Sequence, residues 1–93
     1  MSHHGPYLYI SVYSHQAHHV AAPLEPAIAE WVLSIEDEPN ESPAFPEFVQ
    51  FVMLIATDNC LVDFGKGGKP IYAGERLFFG VHEGKTLTVR ANG

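Results

Sequence analysis

The sequence is poor in charged residues, and those it has are unevenly distributed. Charged residues make up 17% of the 93 residues, below the quarter typical of soluble domains. Lys and Arg are absent from residues 1–65, and all five basic residues follow in residues 66–93. A chain of net charge −6 without a basic patch is a poor partner for nucleic acid. The scarcity of charge instead favours contacts with other proteins.

The uneven charge has two interpretations. Residues 1–65 carry −9 and residues 66–93 carry +3. Opposite charges in separate parts of the chain favour head-to-tail contacts between copies, or docking on a surface of mixed sign. Alternatively, the fold mixes both segments on one surface and the asymmetry disappears in space.

Cysteine and long apolar runs are also scarce. Cys60 is the only cysteine, which excludes an internal disulfide, and its place in a predicted strand indicates a buried, inert thiol. The longest apolar run, residues 51–56, is too short to span a bilayer. The polar start of the chain does not resemble a secretory signal. We expect a soluble protein made in the cytosol, without a membrane partner.

The sequence is rich in the alternation of apolar and polar residues that is typical of β-strands. In residues 7–13, apolar residues alternate with tyrosines and a serine, which predicts a strand with one buried face. Residues 47–56 are apolar on nearly both faces, so this strand is central or one face meets a partner. Further strands are predicted over residues 30–35, 60–64, 77–81 and 86–90. Between them we expect loops or turns at residues 36–46, 65–70 and 82–85, the last as a hairpin with Gly84 in a left-handed conformation.

These patterns predict an all-β fold. About six to eight short strands without a helix indicate a small β-sandwich or barrel, jelly-roll-like. The length suits one domain. We expect a flexible arm over residues 1–6 and a single β domain over residues 7–93.

Histidines are frequent in one predicted loop. His15, His18 and His19 form an H-x-x-H-H pattern, but the spacing places no third ligand. One histidine from each copy of a symmetric trimer could meet on its axis. The alternative is a solvated loop that titrates near neutral pH. We expect no metal and no cofactor, and these three residues are the candidates if there is one.

No pattern in the sequence indicates catalysis. Residues 65–70, GKGGKP, lack the Ser or Thr and the following helix of a phosphate loop. Asp58 and Asp63 do not form a convincing acid–base pair, and the serines lack a nucleophile-elbow setting. We expect a protein that is not an enzyme.

Aromatic residues are the candidates for an interface. Tyr7, Tyr9 and Tyr13 share one face of a predicted strand, and tyrosine suits interfaces because it joins an apolar ring to a polar tip. A covered outer sheet face, or a sheet edge that pairs with another chain, are the alternatives. The predicted interface residues are Tyr7, Tyr9, Tyr13, Trp31, Phe45 and Phe48.

The order of these features resembles a family of small tailed-bacteriophage and prophage virion proteins. The matching pieces are AAPLEPAIAEWVLSI, SPAFPEFVQFVMLIATDNCLVDFG and ERLFFGVHEGKTLTV, which cover most of residues 20–90. The pattern FG…FFGV…G…TV carries most of the resemblance. The first twenty residues and the acidic EDEPNE segment depart from the family.

The resemblance implies a capsid decoration (cement) protein, which stabilises the head shell by bridging neighbouring subunits. The implied partners are the major capsid protein or another virion protein, with a homo-oligomer, a trimer foremost. The implied location is the virion, assembled in the host cytoplasm. Two alternatives stay open. The first is a tail- or head-tail-associated module that binds a ligand or glycan through exposed tyrosines or Trp31, and the second is a small cupin-like metal protein.

Overall fold

The computed structural model describes residues 6–14 and 27–92, and every regular element within these ranges is a β-strand. No helix among them could cross a membrane. The described ranges contain eight strands: β1 (Tyr7–Ser14), β2 (Ala29–Ser34), β3 (Asn40–Glu41), β4 (Val49–Ala56), β5 (Cys60–Asp63), β6 (Gly68–Ile71), β7 (Arg76–Gly80) and β8 (Thr88–Ala91).

The strands form two antiparallel sheets of four. The first sheet has the order β2-β1-β4-β7 and the second has the order β3-β8-β5-β6. The predicted all-β sandwich is therefore confirmed. When β1 is counted after β8, the strand order in both sheets is that of an eight-stranded jelly roll. The strand that ends an ordinary jelly roll thus comes first in this chain.

One apolar core lies between the two sheets. Alternate residues of each strand point into it, because successive side chains of a strand face opposite sides. Leu8, Ile10 and Val12 come from β1, at 0 to 1% exposure. The other core residues are Ile35, Phe45, Val49, Val52, Leu54, Ala56, Cys60, Val62, Ile71, Val81, Leu87 and Val89.

Backbone hydrogen bonds tie the start of β1 and the end of β8 to the same point. The backbone N–H of Ile35 donates to the carbonyl oxygen of Pro6 (3.0 Å), and that of Ala91 donates to the carbonyl oxygen of Glu36 (2.7 Å). Residues 35 and 36 connect β2 of the first sheet to β3 of the second. One short connection therefore holds both sheets together at this end of the sandwich.

Two turns depend on glycine. The side-chain Oδ1 of Asp63 accepts hydrogen bonds from the backbone N–H groups of Gly65 (2.6 Å) and Gly67 (3.2 Å). Gly65 has a φ of 106° and Gly84 a φ of 80°, values that side chains of L-residues disfavour. The left-handed conformation predicted for Gly84 is confirmed.

Several predictions about individual strands need correction. The turn at residues 82–85 is not a hairpin, because β7 and β8 belong to different sheets. The tyrosine strand β1 is not an edge, since β2 and β4 flank it. The short strand β3 lies inside the segment predicted as a loop, and β6 overlaps the segment predicted as a turn. The central position predicted for residues 47–56 is confirmed, because β4 lies between β1 and β7.

Candidate protein-interaction surface

The outer face of the first sheet is formed by the residues of its four strands that point away from the core. The register places them in rows across the sheet. One row runs Val32, Tyr9, Ile55, Arg76, and the next runs Glu30, Ser11, Met53, Phe78. A third row contains Tyr13, Phe51 and Gly80. Most of these side chains are apolar or aromatic.

Much of this surface is accessible to solvent. Tyr9 is 44% exposed, Val32 55% and Phe78 59%, and the other apolar members are half-buried. Because soluble monomers rarely expose a contiguous apolar patch, such a surface indicates a binding partner. We call this surface the aromatic face; its members are Tyr9, Tyr13, Val32, Phe51, Met53, Ile55 and Phe78.

The rings on this face are in contact with one another. The rings of Tyr13 and Phe51 are stacked with centroids 4.9 Å apart, and those of Phe51 and Phe78 meet edge to face at 5.9 Å. Tyr7 adds to the cluster from the end of β1, with its ring 6.5 Å from that of Tyr9. Rings held by their neighbours lose little side-chain entropy when a partner covers them. The rings of this face are therefore held in place without a partner.

Charge on the aromatic face is confined to its two sides. Among the outward positions of the four strands of the first sheet, Glu30 on β2 and Arg76 on β7 carry charge. Both strands are edges of the first sheet. An apolar centre with polar residues at its rim is the usual composition of a protein–protein interface.

The outer face of the second sheet is polar by comparison. Its outward positions hold Glu41, Asp63, Thr88 and Arg90, together with Leu61 opposite Pro70. The hydroxyl of Thr86 also donates to the side-chain Oε2 of Glu41 (2.7 Å). We call this surface the polar face. Nothing in its composition indicates a large apolar interface.

The structure separates the six predicted interface residues into two groups. Tyr7, Tyr9 and Tyr13 lie on the outer side of the first sheet. Trp31 points to the inner side and stacks on Phe45, with ring centroids 5.9 Å apart. Phe45 is 2% exposed, so its predicted place on the surface needs correction: it is a core residue.

Phe48 is the exception among the predicted residues. Its side chain is 64% exposed, and its φ of 69° lies in the left-handed region. It precedes β4 and lies outside the aromatic face, beside a cavity of about 470 Å³ that Ile28 and Pro46 also line. Because Phe48 is exposed and its backbone is strained, the surface around it is a second candidate for an apolar contact.

Sequence reasoning missed five members of the aromatic face, namely Val32, Phe51, Met53, Ile55 and Phe78. For the three on β4 a signal was present, because residues 47–56 are apolar on both faces. A strand with one face in the core and a second apolar face needs a covering layer, and no described residue of this chain supplies one.

The described residues that were considered for metal binding or catalysis do not form a common site. Among residues 6–14 and 27–92 there is no group of three or more metal-ligating side chains. His15, His18 and His19 lie outside the described residues, so the metal hypothesis stays a prediction. Cys60 is fully buried, and burial, assisted by the negative charge of Asp58, raises the pKa of its thiol to about 11. A thiol that stays protonated is a poor nucleophile.

Comparison with known proteins gives no relative for this chain. No protein-family model matches it, and no curated protein or solved structure matches it.

Proposed function

We propose that this chain is a non-enzymatic structural protein of a tailed-bacteriophage particle. It decorates the head shell and docks on the major capsid protein through its aromatic face. The observation that carries the proposal is the apolar outer face of the first sheet, which no described residue covers. The resemblance of residues 20–90 to small virion proteins supports the choice of a tailed-bacteriophage particle.

A protein partner suits this surface better than a small ligand does. Binding sites for small molecules are concave and bury most of the ligand, whereas the aromatic face is one side of a sheet. The described cavities of about 410 and 470 Å³ are lined by residues outside the aromatic face. A flat apolar surface with a charged rim is instead matched by another protein.

A repeated shell makes a small interface sufficient. Each copy contributes a modest contact, and a lattice with many equivalent sites multiplies its effect on the stability of the particle. The proposal includes self-association of the chain, with a trimer as the expected form. The Tyr9 and Phe78 side chains, both exposed on the isolated chain, are buried when the aromatic face docks on the major capsid protein.

The proposal is tested on phage particles released from the cells that encode this chain. Particles are purified by density gradient, and the chain is identified in them by mass spectrometry. The wild-type chain is expected in the particles in many copies. Its absence from particles that carry a complete head would overturn the proposal.

Variants show whether the aromatic face makes the contact. Tyr9→Thr/Phe78→Thr removes two exposed rings and keeps residue types that favour strands. Tyr72→Thr is the matched control, because Tyr72 is 53% exposed and follows β6 of the second sheet, so it is not a member of the aromatic face. The double variant is expected to be lost from the particles while the control stays. Circular dichroism verifies that both variants fold.

The glycan-binding alternative has its own outcome in this design. If the chain is found on the tail, and both variants enter the particle as the wild type does, the aromatic face does not serve assembly. Loss of binding to host cells by Tyr9→Thr/Phe78→Thr particles would then assign that face to a receptor or glycan.

A further inference from the structure

A groove lies at the edge of the sandwich formed by β6 and β7. Its volume is about 470 Å³, and Phe45, Phe64 and Phe79 lie in its wall. The rings of Phe64 and Phe79 are 5.1 Å apart at their centroids. Phe79 belongs to the first sheet, and Phe64 follows a strand of the second. The groove therefore opens where the two sheets meet.

Lysine side chains surround this aromatic wall. Lys66, Lys69 and Lys85 all line the groove and are exposed, and His82 lies beside them. They are three of the five basic residues of the chain. No acidic residue is among the described residues that line the groove. The basic part of the sequence is thus concentrated in space, and we call this site the lysine groove.

The carboxylate of Asp63, near the groove, is already engaged in hydrogen bonds. Asp63 lines a neighbouring cavity of about 410 Å³ that shares Lys85 with the groove. Its side-chain Oδ1 accepts hydrogen bonds from two backbone N–H groups, those of Gly65 and Gly67. The groove itself is lined by three lysines and by no carboxylate, so it favours an anionic group.

An acidic loop lies at the opposite end of the same molecule. Glu36, Asp37, Glu38 and Pro39 are consecutive and exposed. They follow β2 and are joined to the end of β8 by the hydrogen bond between Ala91 and Glu36. Pro39 lacks a backbone donor. We call these four residues the acidic loop.

The register places the acidic loop and the lysine groove at opposite ends of the strands. In the first sheet, Ser34 pairs with Tyr7 at the loop end, whereas Gly80 pairs with Phe51 at the groove end. In the second sheet, β8 ends beside the loop, and Lys85 precedes its start. The loop therefore does not reach the groove of its own chain.

We propose that the lysine groove binds the acidic loop of a second copy of this chain. The three lysines face the three carboxylates of the loop, and Pro39 packs on the aromatic wall. In such a pair, one copy keeps a free acidic loop and the other keeps a free lysine groove. Such a head-to-tail contact closes into a ring when the rotation between copies allows it, or continues as a filament.

This contact is independent of the aromatic face, and the two respond differently to salt. Exposed ion pairs contribute little individually and are screened as ionic strength rises. Association through an apolar face is not weakened in this way. Measurements on the full chain that carries Tyr9→Thr/Phe78→Thr therefore isolate the head-to-tail contact.

Sedimentation velocity tests the contact in that background, at protein concentrations up to about 1 mM, with chelator present to exclude metal bridging. We expect association at low salt that is lost between about 50 mM and about 500 mM NaCl. A monomer at every concentration in low salt would overturn the proposal. So would association that salt does not weaken.

Charge reversal tests the pairing itself. Lys66→Glu/Lys85→Glu and Asp37→Lys/Glu38→Lys are each expected to be monomeric, and an equimolar mixture of the two is expected to associate again. Arg76→Glu is compared with Lys85→Glu, because both change the net charge equally and Arg76 on β7 belongs neither to the lysine groove nor to the acidic loop. Association is expected to fall at least tenfold for Lys85→Glu and less than twofold for Arg76→Glu. Equal losses would assign the effect to net charge alone.

Cross-linking locates the contact directly. A carbodiimide joins a lysine amine to a carboxylate that touches it. In a mixture of unlabelled and ¹⁵N-labelled chains, mixed peptides identify links between copies. We expect such links between residues 36–38 and Lys66, Lys69 or Lys85. Their absence from cross-linked oligomers would contradict the proposal even if the chain associates.

Discussion

The two outer faces of this sandwich differ although they cover the same core. The first sheet presents a cluster of rings and aliphatic side chains, and the second presents carboxylates, a threonine and an arginine. Both sheets contribute alternate residues to the core. The fold requires only the inner faces to be apolar. Folding alone therefore does not account for the apolar composition of the aromatic face.

Strand length follows the same division. In the first sheet β1 and β4 have eight residues each, whereas no strand of the second sheet exceeds four. Longer strands give the first sheet the larger platform. Its two longest strands are also its central ones, so the middle of the aromatic face rests on the most completely paired backbone.

The largest expected effect comes from comparing neighbours on β4 that face opposite ways. Leu54 is fully buried, and Leu54→Ala is expected to lower the free energy of unfolding by about 2–5 kcal/mol because it leaves a cavity. Met53 lies on the aromatic face, and Met53→Ala is expected to change it by less than about 1 kcal/mol. Urea unfolding measures both. A similar loss for Met53→Ala would mean that the aromatic face stabilises the isolated chain.

A smaller loss of stability is expected when Asp63 on the polar face is replaced, and it distinguishes this face from the aromatic face. Asp63→Ala removes the acceptor for two backbone N–H groups in the glycine turn, and we expect a loss of about 1–2 kcal/mol. Asp63→Asn keeps a side-chain oxygen and is expected to lose less. Phe78→Thr on the aromatic face is expected to cost less than Asp63→Ala in the same thermal unfolding series. The reverse order would remove the distinction between a face that serves folding and a face that serves binding.

The smallest expected effect is a change of stability with pH, caused by Cys60 on the inner side of the second sheet. The pKa of the Cys60 thiol is raised from 9.0 to about 11 in the folded chain. Below pH 9 both states keep the proton, so the thiol has no effect. Between pH 9 and 11 the unfolded state loses its proton first, and stability falls as pH rises. At about pH 10 the wild type is expected to lose about 1 kcal/mol relative to Cys60→Ala. Parallel pH profiles of the two chains would contradict a proton retained by burial.

The sequence is a good guide to this fold wherever alternation is strong. The strands β1 and β4 were predicted within two residues of their bounds, because their apolar positions repeat with period two. The strands β3 and β6 were not, since a two-residue strand shows no period and β6 contains Gly68 and Pro70. The false hairpin at residues 82–85 has a different cause. Gly84 sets the local turn, but the partners of β8 are far away in the chain.

The candidate surfaces were predictable only in part. Tyr7, Tyr9 and Tyr13 share a side by alternation, so their common face could be predicted. Whether an isolated aromatic residue points inward depends on tertiary packing, and Trp31 and Phe45 turn inward to stack on each other. The lysine groove had a signal in the uneven charge of the sequence. Its aromatic wall had none, because Phe64 and Phe79 meet only when the two sheets close.

The early position of β1 in the chain has a consequence for folding during synthesis. In an ordinary jelly roll the strand at this place in the sheet leaves the ribosome last, and its neighbours wait for it. Here β1 emerges first, pairs with β2 and then with β4, and needs only contacts of shorter sequence separation. Lower contact order favours faster folding. The first sheet, with its aromatic face, can therefore begin to assemble before the second sheet has been translated.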